Sequence, residues 1–197
     1  MGKVRVKMHG EIVYFDRPGR ENTDAVIEIV ARRCGELGIE HMVVASNSGA
    51  TAMKLADALE GSGVSIVAIP EHAGWHGGDE SSMPAETRAE LEGRGVKVLV
   101  CSHALSGVGR SITGKFGGVS HVEIIAHTLR RFGCDGIKVA VEVAVMAADA
   151  ACAPTGDDII ALGGTGKGCD AALVLKAAHQ NNFFDLRVRE VIAMARG

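Results

Sequence analysis

The run Ser46-Asn47-Ser48-Gly49-Ala50-Thr51 combines residue types that suit the binding of a phosphate group. It follows the apolar run 41–45 and precedes a helical pattern, which predicts a turn between a strand and a helix. Gly49 permits a close turn, and three hydroxyls stand beside the free amides of a helix start, whose dipole attracts anions. The alternative is that Ser46 or Ser48 only caps the helix. Two of the three hydroxyls exceed what capping requires, so the run favours a phosphate site.

A second glycine-rich run, Gly163-Gly164-Thr165-Gly166-Lys167-Gly168, follows the strand-like residues 158–162. Open α/β sheets bind ligands at the carboxyl ends of their strands, so this run is a further candidate for ligand contact, with Lys167 available to an anion. It is not a Walker A loop, because Gly168 stands where that motif has Ser or Thr. It matches the dinucleotide fingerprint only loosely, because a strand-like run follows where a helix is needed. An ordinary hairpin loop is the alternative.

The glycine-rich loop at residues 70–83 carries His72, Gly74, Trp75 and His76. An aromatic ring on such a loop is poorly solvated unless something covers it, which makes Trp75 a candidate for stacking on a planar ligand ring. Simple packing of the loop is the alternative. His72 and His76 are four residues apart, but the loop does not hold them on one helix face and no Cys or carboxylate completes a convincing zinc set. We therefore predict no metal site.

The run at 102–111 also follows a strand, which predicts that His103, Ser106, Gly107 and Arg110 lie on the same rim as the two glycine-rich turns. Arg110 suits a phosphate or a ring carbonyl, because its guanidinium can donate two parallel hydrogen bonds. His103 is the candidate acid or base, although a loop histidine can equally serve as a simple hydrogen-bonding group.

Two carboxylates, Glu142 and Asp149, lie inside the apolar helical run 138–150. A carboxylate on a mostly buried helix must pair with a cation, accept hydrogen bonds or face a cavity. We expect structural pairing first and ligand contact second.

These candidates are positioned by an alternation of strand and helix patterns. Residues 11–15 predict a strand, and the stretch from the capping residues Asn22-Thr23 to Gly38 predicts an amphipathic helix. Strand 41–45, a helix ending at Leu59 and strand 64–69 continue the series. Such βαβ patterns are typical of a parallel sheet with right-handed crossovers.

The second half is less regular. We predict a loop over 70–83, a helix from near Pro84, a strand over 96–100, a loop over 102–117 and a hairpin of two helices over 119–132 and 137–151. Three strand-like runs then close the chain, at 158–162, 172–175 and 188–194.

Length and composition favour one intracellular domain. The 197 residues suit a single core, so we predict a short N-terminal extension over 1–10 and one domain over 11–197. A net charge of −3 gives no support to a nucleic-acid or membrane partner, and a small ligand is favoured. Five scattered cysteines without a Cys-x-x-Cys pair suit the reducing cytoplasm, and no signal peptide or membrane-length apolar run is present.

The stretch from strand 41–45 to strand 64–69 resembles the carboxy-terminal domain of pyruvate kinase. The phosphate loop of that domain has a similar Ser/Thr-x-Ser/Thr-Gly-x-Thr-Ala turn, which Ser46 to Ala52 match. The run GDDIIALGGTGKGCDAALVL resembles its closing strands and second effector loop. The resemblance is weak between residues 70 and 155. It implies a three-layer α/β/α fold with a mostly parallel sheet and antiparallel C-terminal strands.

A closer resemblance is to the stand-alone archaeal family of pyruvate kinase α/β-domain-like proteins. It is carried by YFDRPGRENT, VVASNSGATA, SHALSGVGRSI, FGGVS, KVAVEVAVMAADA, IIALGGTGKGCDAALVL and HQNNFFD. This resemblance implies flavin mononucleotide (FMN) as cofactor, with its phosphate at the 46–51 turn and its isoalloxazine near the other loops. It implies no kinase activity, because the catalytic barrel of pyruvate kinase has no counterpart here, and it implies a homodimer. Ala50 stands where the pyruvate kinase loop often has a basic residue, which argues against a bisphosphorylated sugar.

Three functions follow as hypotheses. The first is an FMN-binding protein that acts as a redox enzyme. The second is an effector-binding module for a phosphorylated metabolite, without chemistry of its own. The third is a hydrolase or isomerase using His103 with Glu142 or Asp149, which no recognisable nucleophile motif supports.

Overall fold

The computed structural model describes residues 10–196, so the predicted N-terminal extension lies outside the described residues except for Gly10. Within the described range, seven strands form one sheet. They are β1 (Val13–Phe15), β2 (His41–Ala45), β3 (Ser65–Ile69), β4 (Lys97–Val98), β5 (Asp158–Gly163), β6 (Ala171–Lys176) and β7 (Arg187–Ala195).

The same range contains six α-helices, together with short 3-10 helices at Arg20–Asn22 and Gln180–Asp185. The α-helices are α1 (Thr23–Leu37), α2 (Ala50–Ala58), α3 (Ala85–Gly93), α4 (Val108–Phe116), α5 (His121–Arg130) and α6 (Asp135–Asp149). α1 begins after Asn22 and ends at Gly38, as the sequence predicts. Gly38 has a φ of +63°, and its amide donates to the carbonyl of Cys34, which closes the helix.

The prediction of a loop over 102–117 was wrong, because residues 108–116 form α4. This helix buries none of its residues, and Phe116 is 76% exposed. It rests on α5, where the Thr113 hydroxyl donates to Glu123 and Gly109 lies against Ser120. Two glycines and an exposed apolar stripe gave the segment no clear core-facing pattern. The predicted strands at 11–15 and 96–100 are also shorter than expected, and they pair only over β1 and β4.

The sheet has the order β1-β7-β6-β5-β2-β3-β4. β5, β2, β3 and β4 are mutually parallel, and β7 is parallel to β1. β6 runs antiparallel to both of its neighbours. The predicted fold class is therefore confirmed: a mostly parallel sheet with antiparallel pairing near the C-terminus and helices on both faces.

The core has two halves, one on each face of the sheet. On β5, Ile160 and Leu162 belong to the half covered by α1, α2 and α3, whereas Ile159 and Ala161 belong to the half covered by α5 and α6. Successive side chains of a strand point to opposite faces, so a strand buried on both faces must be apolar throughout. This requirement explains why the central strands read as unbroken apolar runs.

The parallel strands bring four connections to one edge of the sheet. The segments that follow β2, β3, β4 and β5 all start at the carboxyl ends of neighbouring strands. From β2 the chain passes to β3 and β4, and then returns through α4, α5 and α6 to β5 on the other side of β2. Open α/β sheets bind ligands at such a reversal of strand order.

Among the helices of residues 10–196, none combines the length and the hydrophobicity needed to cross a membrane.

Candidate functional site

A cleft of about 830 Å³ opens at the carboxyl edge of the sheet, between the ends of β2 and β5. Its volume falls within the range of about 300–1,000 Å³ that is usual for small-molecule sites. Twelve of the predicted residues line it: Ser46, Asn47, Ser48, Ala50, Thr51, Trp75, His103, Ser106, Arg110, Gly164, Lys167 and Gly168. The other predicted residues are their chain neighbours and are absent from the lining: Gly49, His72, Gly74, Gly107, Gly163 and Thr165.

The 46–51 turn leads directly into the first turn of α2. Gly49 is the residue before the helix and has a φ of +83°. The buried hydroxyl of Ser46 accepts a hydrogen bond from the Ala52 amide at 3.2 Å, so this serine takes part in capping the helix, although Gly49 holds the N-cap position. The amides of Ala50 and Thr51 have no partner within the helix and stand at the cleft. Capping by Ser46 and an open anion site in the same turn are therefore compatible.

Asn47 connects this turn to the loop after β3. Its side-chain oxygen accepts from the Glu71 amide at 3.1 Å, and its carbonyl accepts from the Ser82 hydroxyl at 3.4 Å. The loop that carries Trp75 is thus tied to the 46–51 turn near both of its ends.

We expect a Gly49→Ala variant to lose both stability and anion affinity. A residue with a Cβ costs about 1–2 kcal/mol in the left-handed region, and here the Cβ would lie 2.3 Å from the Thr87 methyl group. Denaturant unfolding should therefore show a loss of at least about 1 kcal/mol in the free energy of unfolding.

Gly61→Ala is the matched control, because Gly61 has a φ of +71° but no atom within 4 Å of the added Cβ. It should show the conformational cost alone and leave anion binding unchanged. Equal effects of the two variants on unfolding would refute the role assigned to the Thr87 contact.

The 163–168 run is a hairpin loop between β5 and β6, as the second interpretation of the sequence proposed. Its backbone is closely packed: a Cβ on Gly164 would lie 2.0 Å from the Gly168 carbonyl, and one on Gly168 would lie 2.5 Å from the Thr23 hydroxyl. Gly164 and Gly168 are thus required by packing, whereas Gly166 has open space around it. Lys167 is exposed and lines the cleft, so the run is a hairpin loop that also stands where a ligand could contact it.

Asp170 fixes this hairpin from beneath. The side chain is fully buried, and its Oδ2 accepts from the amides of Thr165 and Gly19, each at 3.1 Å. Its Oδ1 accepts from the Cys134 thiol at 3.4 Å and lies against Gly136 in the first turn of α6, whose dipole favours a negative charge. The carboxylate therefore joins three segments that converge below the cleft.

His72, Trp75 and His103 form an aromatic cluster on the opposite rim. The Trp75 ring centroid lies 5.3 Å from each histidine ring, and the two histidine rings are 4.9 Å apart. The Arg110 guanidinium lies 4.9 Å from the Trp75 ring centroid, in a cation–π arrangement. The structure thus brings together residues from the loops after β3 and β4, as the sequence predicts.

His103 is held as a neutral imidazole. Its Nε2 accepts a hydrogen bond from the His72 amide at 3.3 Å, which requires an unprotonated nitrogen. Burial lowers the pKa of His103 from its ordinary value, while the charge of Glu142 opposes this shift. Neither Glu142 nor Asp149 hydrogen-bonds to His103 among the described residues, so the predicted acid–base pair is not assembled.

Both helix carboxylates have structural partners, as predicted. Glu142 accepts from the Leu105 amide at 2.7 Å and forms an ion pair with Lys138, and the two side chains are among the few buried charged groups. Asp149 accepts from the Gln180 amide at 3.1 Å, at the far end of α6. Glu142 also lines the cleft, whereas Asp149 does not.

The predicted site omitted most of the charges around the cleft. The lining includes two acidic side chains, Glu71 and Glu142, and more numerous basic ones. The basic residues are Arg20, Lys54, Arg110, Arg130, Lys138 and Lys167. This excess of positive charge favours an anionic ligand, although the chain as a whole is acidic. Only the amphipathic spacing of α6 could have indicated Lys138, which shares a helix face with Glu142.

Two buried hydroxyls at the site, Ser106 Oγ and Thr165 Oγ1, have no hydrogen-bond partner among the described residues. A buried polar group without a partner is costly, and such groups are normally satisfied by protein, water or ligand. Ser106 belongs to the cleft lining, so its hydroxyl is a hydrogen-bond donor that a ligand group could satisfy.

His72 and His76 make different contacts, because His72 Nδ1 lies 2.6 Å from the Ala73 carbonyl and His76 Nε2 lies 3.0 Å from a Glu71 oxygen. In the described part of the chain, no group of three or more His, Cys, Asp or Glu side chains is placed to hold a metal ion.

Comparison with known proteins gives one family and several structures. The family model described as pyruvate kinase, alpha/beta domain, matches residues 24–175. A solved pyruvate kinase from Cryptosporidium parvum is 15% identical, with a TM-score of 0.42, and the match covers 79% of this chain and 23% of that one. The same organism's enzyme in complex with ADP gives 16% identity, a TM-score of 0.42 and coverages of 79% and 24%. A third structure of it gives 13% identity, a TM-score of 0.36 and coverages of 87% and 22%. The chain thus spans less than a quarter of the length of these pyruvate kinases.

Proposed function

We propose that the cleft of this chain, which belongs to the pyruvate kinase alpha/beta domain family, binds flavin mononucleotide. The family supplies the fold, and the function must be argued from the site. The observation that carries the proposal is a single cleft with a helix start for a phosphate at one end and an aromatic cluster at the other.

The phosphate would lie at the 46–51 turn. Ala50 and Thr51 offer free amides at the positive end of the α2 dipole, and the Ser48 and Thr51 hydroxyls stand beside them. Lys54 follows one turn later and also lines the cleft. Backbone amides, hydroxyls and a lysine together are the donors that a phosphate group requires.

The isoalloxazine would lie between the Trp75 rim and α6. Val139, Val143 and Met146 give the cleft an apolar wall, and a flat ring can stack on or beside Trp75. The residues present therefore fit the cofactor in size, in the apolar wall for its ring and in the donors for its phosphate.

A bound flavin would supply hydride or electron transfer, and the chain would bind and orient it. His103 is neutral, and its pKa is lowered by burial, so it can hold a proton on Nδ1 while Nε2 accepts from the His72 amide. We propose an FMN-dependent redox protein on this basis.

We expect FMN to bind at least about tenfold more tightly than riboflavin, because riboflavin lacks the phosphate and its charged hydrogen bonds. Quenching of flavin fluorescence on titration measures both affinities. Thr51→Val, which removes the hydroxyl at nearly constant volume, should weaken FMN binding and leave riboflavin binding unchanged. The visible spectrum of the purified protein gives an independent test of bound flavin.

A protein that is colourless when purified and fails to bind added FMN contradicts the proposal.

The second candidate function is an effector-binding module. It is favoured by the six basic side chains that line the cleft, because one phosphate group needs fewer. Thermal-shift measurements separate the two, because a stabilising ligand raises the unfolding temperature only if it binds the folded state. Stabilisation by sugar bisphosphates and not by FMN would favour the module.

A further inference from the structure

We propose that the cleft contains a second anion site, formed by Arg110, Ser106 and Lys138 and separate from the 46–51 turn. It would take the carboxylate or phosphate group of a second small molecule. The identity of that molecule rests on the proposed flavin function: if FMN is bound, the second molecule is an anionic co-substrate held beside the flavin ring. The anion site itself stands on separate observations.

The first observation is the way in which the three residues are brought together. The Leu105 amide donates to Glu142 Oε1 at 2.7 Å, which places the start of the 105–110 segment on α6. Glu142 Oε2 pairs with Lys138. Glu142 therefore links Lys138 to Leu105, and Ser106 is the next residue in the chain. Ser106, Arg110 and Lys138 all line the cleft.

The second observation is the charge balance around these residues. Lys138 is 5% exposed; burial lowers its pKa from its ordinary value, Arg110 and Arg130 lower it further, and Glu142 opposes the shift. Glu142 matches Lys138, and Asp135 lies 3.4 Å from Arg130. Arg110 forms no ion pair among the described residues. Its charge helps to lower the pKa of Glu123, but the Glu123 carboxylate is hydrogen-bonded to Thr113 and Ser120. One cation therefore remains unmatched where positive charges already repel one another.

The third observation is the orphan hydroxyl. Ser106 Oγ is buried, has no partner among the described residues and belongs to the cleft lining. The Arg110 guanidinium, the buried Lys138 ammonium and the unsatisfied Ser106 hydroxyl line one cleft, and Glu142 is the one charged acceptor paired with them among the described residues. A bound anion supplies the missing acceptors and offsets the repulsion.

The two anion sites use different elements. The basic neighbours of the 46–51 turn are Lys54 on α2, whose ammonium pairs with Asp24, and Arg20, against which Gly168 packs. The proposed second site uses α4 and α6 instead. A ligand group at one site therefore leaves the donors of the other site free.

Titration of the 15N-labelled protein with inorganic phosphate, followed by amide chemical shifts, tests the proposal. We expect two groups of shifting amides with separate midpoints, one at residues 48–51 and one at residues 105–110. Arg110→Gln should weaken the second midpoint by about tenfold or more, which is the loss of one charged hydrogen bond. The control is Arg131→Gln, an exposed neighbour on the C-terminal side of α5 that does not line the cleft.

Each outcome has a defined meaning. Shifts confined to residues 48–51, or an Arg110→Gln variant that titrates like the wild type, would overturn the second site. If FMN fails to bind but phosphate still shifts residues 105–110, the flavin proposal fails and the anion site stands. If a sugar bisphosphate shifts both groups with a single midpoint, the anion site is supported, but the assignment to a separate co-substrate is refuted.

Discussion

A Glu142→Ala variant is expected to lose about 3–5 kcal/mol of unfolding free energy, which is the usual result of removing one partner of a buried ion pair. Lys138 and Glu142 are 5% and 4% exposed, so the variant would leave a largely buried ammonium without its partner. The Leu105 amide would also lose its acceptor. Urea denaturation followed by circular dichroism measures the loss.

The double variant Lys138→Met/Glu142→Leu is the control for an electrostatic cause. Replacing a buried ion pair by apolar side chains is often neutral or stabilising, so the double variant should regain most of the stability. A double variant as unstable as Glu142→Ala would contradict this account and would attribute the loss to the Leu105 hydrogen bond or to packing.

The pH dependence gives a second check on Glu142→Ala. Burial already lowers the pKa of Lys138, and loss of Glu142 removes the main opposing influence, so the folded variant releases this proton before the unfolded chain does. The unfolded state then binds more protons until pH approaches the free lysine pKa of about 10.4. Stability rises with pH in that window, so the deficit should shrink as the pH rises toward the free lysine pKa.

An Asp170→Ala variant is expected to lose about 2–6 kcal/mol, because two backbone amides lose their acceptor together and each buried unsatisfied group costs about 1–3 kcal/mol. The amides are those of Gly19 and Thr165, and the side chain is fully buried. Hydrogen exchange should show selective loss of protection at these two amides. Ligand affinity should also fall, because the hairpin that carries Lys167 would no longer be fixed.

Asp170→Asn is the matched variant. Its amide oxygen can replace Oδ2 as the acceptor for both backbone amides, and its NH2 group can face the Cys134 sulfur, which is a weak acceptor. We therefore expect a smaller loss than for Asp170→Ala. Equal losses would show that the negative charge matters more than the hydrogen bonds, against the role assigned here.

The Glu142 and Asp170 predictions concern the floor of the same cleft. The two carboxylates hold the ends of different connections, the segment after β4 and the hairpin after β5. Variants at either position should therefore change binding as well as stability. An effect on binding alone is expected from Thr51→Val and Arg110→Gln, which touch the cleft without bonding its supports.

Much of the fold could be predicted because the central strands are buried on both faces. Such strands need unbroken apolar runs, and β2, β3 and β5 have them. α1 has an equally clear stripe ending at Gly38. α4 was missed because it contains two glycines, which are poor helix formers, and because its apolar stripe is exposed and covers no core.

The part of the site that follows the strand ends could also be predicted. The 46–51 turn, Trp75 and Arg110 follow strand ends, and parallel strands bring such ends to one edge. Lys138 and Arg130 were not identified, because they come from helices whose orientation toward the cleft depends on packing. FMN as the ligand, and the catalytic role of His103, stay predictions.

The sequence by itself determined the order of strands and helices apart from α4, the apolar character of each central strand and the helix start that can hold an anion. These are local properties, set by side-chain periodicity and backbone amides. Only the tertiary structure decided that Lys138 and Glu142 pair beneath the cleft, that Asp170 holds two distant amides and that Arg110 is left unmatched beside Trp75. Those arrangements join residues far apart in the chain, and burial makes their charges and hydrogen bonds strong enough to define the site.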